Sequence, residues 1–127
     1  VHKCFAAKRD GKPLQAWGDG SPVRELIYVD DLARVAIALL EREEDLPRRL
    51  IVSGQEMTIK ELVEKICRHM SHTDIEWLTD KPNGQLRRPT SKEEFSRIFP
   101  DFVHTPVDKG LKLTCEWFTN TYPNVRM

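Results

Sequence analysis

The stretch Trp17-Gly18-Asp19-Gly20-Ser21-Pro22-Val23-Arg24-Glu25-Leu26-Ile27-Tyr28-Val29-Asp30-Asp31-Leu32-Ala33 decides the fold. It reads as the end of a strand, a tight glycine turn, a second strand and the start of a helix. Gly18 and Gly20 can take the positive backbone dihedrals that a sharp reversal needs, and Pro22 restrains the chain leaving it. Leu26, Tyr28 and Asp30 alternate with Ile27 and Val29, which predicts a strand over Glu25 to Val29. Asp30 or Asp31 then stands where a side-chain oxygen can accept from the free amides opening a helix from Leu32 to Glu43. Arg24 sits between turn and strand. A planar guanidinium fixed beside a rigid turn is suited to hold a diphosphate through two parallel hydrogen bonds; the alternative is a surface ion pair with Glu25 or a neighbour.

On either side the chain alternates helix and strand, with no repeat or low-complexity linker. His2 to Arg9 reads as the tail of a helix, ended by Asp10-Gly11-Lys12-Pro13. Leu14 to Trp17 is the first strand. Leu32, Val35, Ala36, Leu39 and Leu40 recur at helical spacing and predict one buried face. Arg49 to Ser53 is a strand of the buried type, stopped at Gly54. Thr58 and Glu61 form a capping-box pattern opening a helix that carries Ile59, Leu62, Val63, Ile66 and Met70. Ile75 to Leu78 is another strand, and Asp80 to Pro89 a polar loop. Ser91 with Glu94 caps a short helix to Ile98. Thr105 as cap and Pro106 as first residue start a last helix, running to about Thr121. In it Trp117 and Phe118 take core spacing with Leu113. The class is mixed α/β, with short strands in two sets.

Composition narrows the function classes. The 127 residues fit one small domain with a modest core. Basic and acidic residues balance at 20 each, so no global field recruits nucleic acid or an anionic membrane. No apolar run is long enough to span a bilayer, and nothing resembles a signal peptide. Cys4, Cys67 and Cys115 have neither zinc-site nor disulfide-framework spacing, which predicts a reducing, cytoplasmic setting. His69, His72 and His104 lack the paired spacing of a metal site. Val1 opens directly into chain with no initiating Met, which predicts a piece of a longer protein.

The loop Asp80-Lys81-Pro82-Asn83-Gly84-Gln85-Leu86-Arg87-Arg88 is a second candidate site. Amides and cations on a turn between strand and helix can clamp a guanine edge and a phosphate; the alternative is a solvated basic loop. Trp17 can pack its indole against a nucleoside or sugar, or serve as a buried strand residue.

The Trp17-to-Arg24 string resembles the substrate-domain signature of the extended short-chain dehydrogenase/reductase family, the epimerases and dehydratases of nucleotide sugars. Thr58-Ile59-Lys60-Glu61-Leu62, Lys81-Pro82-Asn83-Gly84-Gln85, Pro100-Asp101-Phe102 and Glu116-Trp117-Phe118 follow in the order seen in its GDP-L-fucose synthase branch. The resemblance covers essentially the whole chain but only the carboxy-terminal part of the family's length. It implies that residues 1–127 form a small mixed GDP-sugar-binding domain, with an NADP-binding Rossmann domain upstream of Val1. For the intact enzyme it implies NADP-dependent conversion of GDP-4-keto-6-deoxy-D-mannose to GDP-L-fucose, in a cytoplasmic homodimer that binds neither nucleic acid nor membrane.

Residue by residue, the resemblance places Lys3 at a basic position that contacts the nucleotide diphosphate; the bland alternative is a solvated helix lysine. It favours the pocket rim for Trp17. It adds weight to Arg24, Asn83, Arg87 and Arg88 as substrate-binding residues, although Asn83 stands where the family usually has Asp. It assigns no catalytic, cofactor or metal residue to this chain. The family's Tyr-x-x-x-Lys pair is absent, because Leu32 and Arg126 occupy the fourth place after Tyr28 and Tyr122. The glycine-rich strand-to-helix turn that cradles a dinucleotide is missing too. The family's acid/base His falls upstream by register, so His2 is not that residue. Cys4 is read as a helix residue facing the absent half. Without that half the chain is expected to be inactive and to leave an apolar face bare. The other readings are a sister enzyme such as a UDP-sugar epimerase, and a non-catalytic binding module.

Overall fold

A computed structural model describes residues 1–42, 46–87 and 90–125. Among these residues are five helices and four short strands. They are α1 (His2–Asp10), β1 (Leu14–Trp17), β2 (Val23–Leu26), α2 (Val29–Leu40), β3 (Gln55–Thr58), α3 (Ile59–His69), β4 (Ile75–Leu78), α4 (Glu93–Ile98) and α5 (Val107–Thr121). The strands form two separate ribbons. β1 pairs parallel with β4, Leu14 opposite Ile75 and Trp17 opposite Leu78. β2 pairs antiparallel with β3, Val23 opposite Thr58 and Leu26 opposite Gln55. This is the mixed α/β class with two strand sets.

Local chemistry explains most boundaries. Gly11 closes α1 in the left-handed conformation, φ 63°, where its amide reaches back to the last turn. Thr58 and Glu61 make both bonds of the capping box: Glu61 N donates to Thr58 Oγ1 at 3.1 Å, and Thr58 N to Glu61 Oε2 at 2.8 Å. The core lies where α1, α3 and α5 meet the β1–β4 ribbon, and it buries Cys4, Leu14, Cys67, Met70 and Cys115. Cys4 thus points inward, with its Sγ 3.7 Å from that of Cys67, and not toward an absent half. A second cluster stacks Phe95, Phe99, Phe102 and His104.

Several expectations are corrected. The second strand runs Val23–Leu26, not Glu25 to Val29, because pairing with β3 begins at Val23 and the chain turns at Tyr28. The Tyr28 carbonyl there accepts from Asp31 N and Leu32 N, so α2 begins at Val29 and ends at Leu40. The predicted end, Glu43, lies outside the described residues. Neither Asp30 nor Asp31 caps that helix. Asp31 instead turns inward, 1% exposed, and accepts from Thr105 N at 2.7 Å, Thr105 Oγ1 at 2.8 Å and Arg34 Nη2 at 2.6 Å. Thr105 is therefore spent on Asp31, and Pro106 is the N-cap of α5 without a side-chain cap. α4 likewise starts after Lys92 without the Ser91 cap.

No strand forms over Arg49 to Ser53. The ladder opens only at Gln55, after Gly54 passes so close to β2 that a β-carbon there would sit 2.3 Å from Leu26 O. The apolar periodicity of α2 buries Val35 alone among its apolar residues. Leu40 is 86% exposed, and Val29, Leu32 and Ile37 are exposed as well. In α5 Phe118 is buried as expected, but Trp117 is 56% exposed.

Candidate functional site

Gly18 and Gly20 adopt φ of 77° and 78°, as the reversal between β1 and β2 requires. Their absent side chains also make room. A β-carbon on Gly20 would stand 2.7 Å from the Trp77 ring, and one on Gly18 would stand 2.0 Å from Asn83 Oδ1. The turn is tied on every side. Gly18 N donates to Leu78 O at 2.9 Å, Asp19 N to Asn83 Oδ1 at 2.8 Å, and Ser21 N to Asp19 Oδ1 at 2.8 Å. The Ser21 amide, above all, holds the Asp19 carboxyl below its ordinary pKa. Ile59 N and Lys60 N donate to Pro22 O and Gly20 O, so the first amides of α3 are consumed by the turn and offer nothing to an anion.

Arg24 rises from β2 beside this turn. Its Nη1 donates to Val23 O at 2.7 Å and to Gln85 O at 2.9 Å. Nε and Nη2 have no protein partner among the described residues. The guanidinium is thus pinned by one nitrogen and presents a free edge of donors, the geometry for a planar anion such as a phosphate. Among the described residues no carboxylate pairs with it, and Glu25 points to the other face of the ribbon.

The remaining predicted residues divide. Lys3 and Trp17 come together: Lys3 Nζ lies 5.9 Å from the indole centroid, and Trp17 is 62% exposed. They border an open pocket of about 490 Å³ whose wall includes Cys4, Ile59, Val63 and Ile66. Trp17 is covalently next to Gly18, and Gly18 abuts Asn83, so Lys3, Trp17, the turn and Asn83 form one continuous strip. Asn83 Oδ1 is already engaged by the Asp19 amide, which leaves its NH₂ as the free group. Arg87 is bound to Glu56, its Nη2 donating to both carboxylate oxygens at 3.0 and 2.9 Å. Arg88 lies outside the described residues. Sequence reasoning missed the Gln85 carbonyl and Glu56. The first is a backbone atom with no side-chain signal, and the second becomes visible only through the β2–β3 register.

No group of three or more His, Cys, Asp or Glu side chains that could hold a metal occurs among the described residues. No helix among them is long and apolar enough to cross a membrane.

Known proteins resemble this chain in sequence and in fold. Residues 2–53 match the NAD dependent epimerase/dehydratase family. A GDP-L-fucose synthase of Dictyostelium discoideum is 27% identical over 99% of this chain and 40% of its own length. GDP-L-fucose synthase 1 of Arabidopsis thaliana is 34% identical over 98% of this chain and 39% of its length. The crystal structure of a GDP-L-fucose synthetase from Naegleria fowleri, also known bound to NADP, superimposes with a TM-score of 0.89 at 27% identity. It covers 99% of this chain and 39% of that one. The chain therefore spans about 40% of the length of these relatives, matching their carboxy-terminal portion. Its first two-fifths thus carry the match to the NAD dependent epimerase/dehydratase family, and GDP-L-fucose synthases are among the relatives of the chain as a whole.

Proposed function

We propose that this chain grips the nucleotide half of a GDP-sugar, as the carboxy-terminal domain of an NADP-dependent epimerase-reductase that makes GDP-L-fucose from GDP-4-keto-6-deoxy-D-mannose. The observation that carries the reading is Arg24, fixed through Nη1 to two carbonyls with its other donor edge free beside the glycine turn. A pre-positioned guanidinium loses little side-chain freedom on binding, and two parallel bonds to a diphosphate follow from its planar shape. Lys3 adds a cation beside Trp17, which contributes an exposed aromatic face leading into the glycine turn. Of the other cations named from the sequence, Arg87 is engaged by Glu56 and Arg88 lies outside the described residues.

The chain's own residues do not fit NADP. Glycines 18 and 20 lead into β2 and not into a helix N-terminus, and the first amides of α3 are occupied. In this reading the cofactor and the proton-transferring groups are supplied from outside these 127 residues. What this chain supplies is binding energy. Holding the remote nucleotide lets the sugar be presented in one orientation to the reacting groups. A cytoplasmic location and a homodimer accompany the same reading.

One observation favours a sister nucleotide sugar as the second reading. Asn83 Oδ1 already accepts from Asp19 N, and the side chain has no second carboxylate oxygen, so it cannot give the N1 and N2 donors of guanine the paired oxygens of an Asp. Titrating GDP and UDP separately into the chain by calorimetry tests the assignment. Tighter binding of GDP is expected; a preference for UDP moves the chain to the sister class, and binding of neither refutes the nucleotide reading.

A further inference from the structure

The segment carrying Asn83 and Gln85 is held from both faces of the β2–β3 ribbon. On the front, Arg24 Nη1 takes the Gln85 carbonyl and Asn83 Oδ1 takes the Asp19 amide. At the free edge of β2, Val23 N donates to Leu86 O at 2.8 Å. On the back, Glu25 and Glu56 stand directly opposite each other across the two strands. Side chains alternate along a strand, so these two carboxylates share the face away from Arg24.

Like charges facing across a ribbon oppose its pairing unless cations intervene. Among the described residues, the groups answering them come from the chain just beyond Gln85. Arg87 Nη2 donates to both oxygens of Glu56. Thr90 Oγ1 donates to Glu25 Oε2, and Lys92 Nζ lies 3.5 Å from Glu25 Oε1. That Oε1 is buried and accepts no hydrogen bond, so Lys92 is its only compensation among the described residues.

We propose that Glu56, through Arg87, clasps residues 83–87 from the back of the ribbon and thereby positions the Arg24 guanidinium on the front, while Glu25 anchors the chain beyond them at Thr90 and Lys92. Arg87 is a positioning residue acting through Glu56, not a ligand of the phosphate. The proposal rests on the reading of Arg24 as the diphosphate contact. It turns an acidic pair with no place in that site into the device that sets its main cation. The chain of contacts is Glu56 to Arg87, Leu86 O to Val23 N, and Gln85 O to Arg24.

Two readouts on the 127-residue chain test this, one free of ligand. Glu56→Gln, Arg87→Gln and the double variant are compared by amide exchange at Val23 and by calorimetric titration with GDP. Arg87 is mostly exposed, so its variant keeps the test open should Glu56→Gln fail to fold. Each single variant is expected to speed Val23 exchange and to weaken GDP binding by about fivefold, the upper range for an exposed ion pair. The double variant should add nothing further, and exchange in α3 should not change. Unaltered Val23 exchange overturns the clasp. So does tighter GDP binding in Glu56→Gln, because Arg87 released from Glu56 would then be touching phosphate itself. If the unmutated chain binds no GDP while Val23 exchange responds as expected, the nucleotide reading fails and the clasp stands.

Discussion

Asn83 Oδ1 lies 2.0 Å from the place a β-carbon on Gly18 would occupy, and it accepts the Asp19 amide at 2.8 Å. The loop after β4 is thus seated in a space that exists only because residue 18 has no side chain. Gly18→Ala meets two penalties, a left-handed φ of 77° and the displacement of Asn83. We expect a loss of about 1–3 kcal/mol in urea unfolding from the backbone strain alone. Asn83→Ala should cost less, about 1 kcal/mol for one hydrogen bond. If Gly18→Ala unfolds at the wild-type midpoint, the turn is not constrained as described.

Asp31 sets the acid side of the stability profile. Burial alone pushes its pKa up, but the bonds from Arg34 and Thr105 outweigh burial and hold it below the ordinary carboxylate value. A depressed folded-state pKa contributes stability above the unfolded value, near 3.9, and that stability is lost as pH falls through the folded value. Asp31→Asn should therefore cost about 2 kcal/mol at pH 7, the scale of hydrogen bonds to a charged group. Its gap to wild type should narrow below about pH 4. Melting temperatures across pH 2–7 check this, and a gap constant with pH would show that Asp31 is not the titrating group.

Elements defined by adjacent residues were legible in the sequence: the glycine turn, the Thr58–Glu61 capping box, β1, β4 and the glycine-terminated α1. Those settled by distant partners were not. Asp31 has the composition of a helix cap, but it is drawn inward by Thr105, 74 residues away. Ile51 and Val52 carry a strand-like run, yet the ladder with β2 opens only at Gln55. Arg24 could be singled out because its local setting holds most of the argument. The carbonyl that orients it, Gln85 O, belongs to a loop 61 residues on. Arg87 reads as a free cation until Glu56 is placed across the ribbon.

The three cysteines should be chemically quiet in the folded chain. Burial first, then the hydrogen bond with Cys4, pushes the Cys67 thiol up to about 12, and burial also raises Cys115. The thiolate is the reacting form, so little of it exists at Cys67 and Cys115 at pH 8, and Cys4 is shielded by burial at 1% exposure. A small disulfide reagent at that pH should label the native chain only as fast as it unfolds, and should label all three cysteines promptly in denaturant. Rapid labelling of Cys67 in native buffer would contradict the packed core of α1, α3 and α5.

The central claim, that Arg24 is the diphosphate contact, is tested most directly by calorimetric titration of GDP into wild type, Arg24→Lys, Arg24→Ala and Lys12→Ala. A charge-assisted bond is worth about 1.5–3 kcal/mol, so Arg24→Ala should lose tenfold or more in affinity. Arg24→Lys keeps the charge but forfeits the planar fork, and should fall in between. Lys12, exposed on the turn after α1, serves as the control and should bind as wild type does. Equal GDP affinity in wild type and Arg24→Ala would contradict the account and leave Arg24 as a surface charge that only holds its loop.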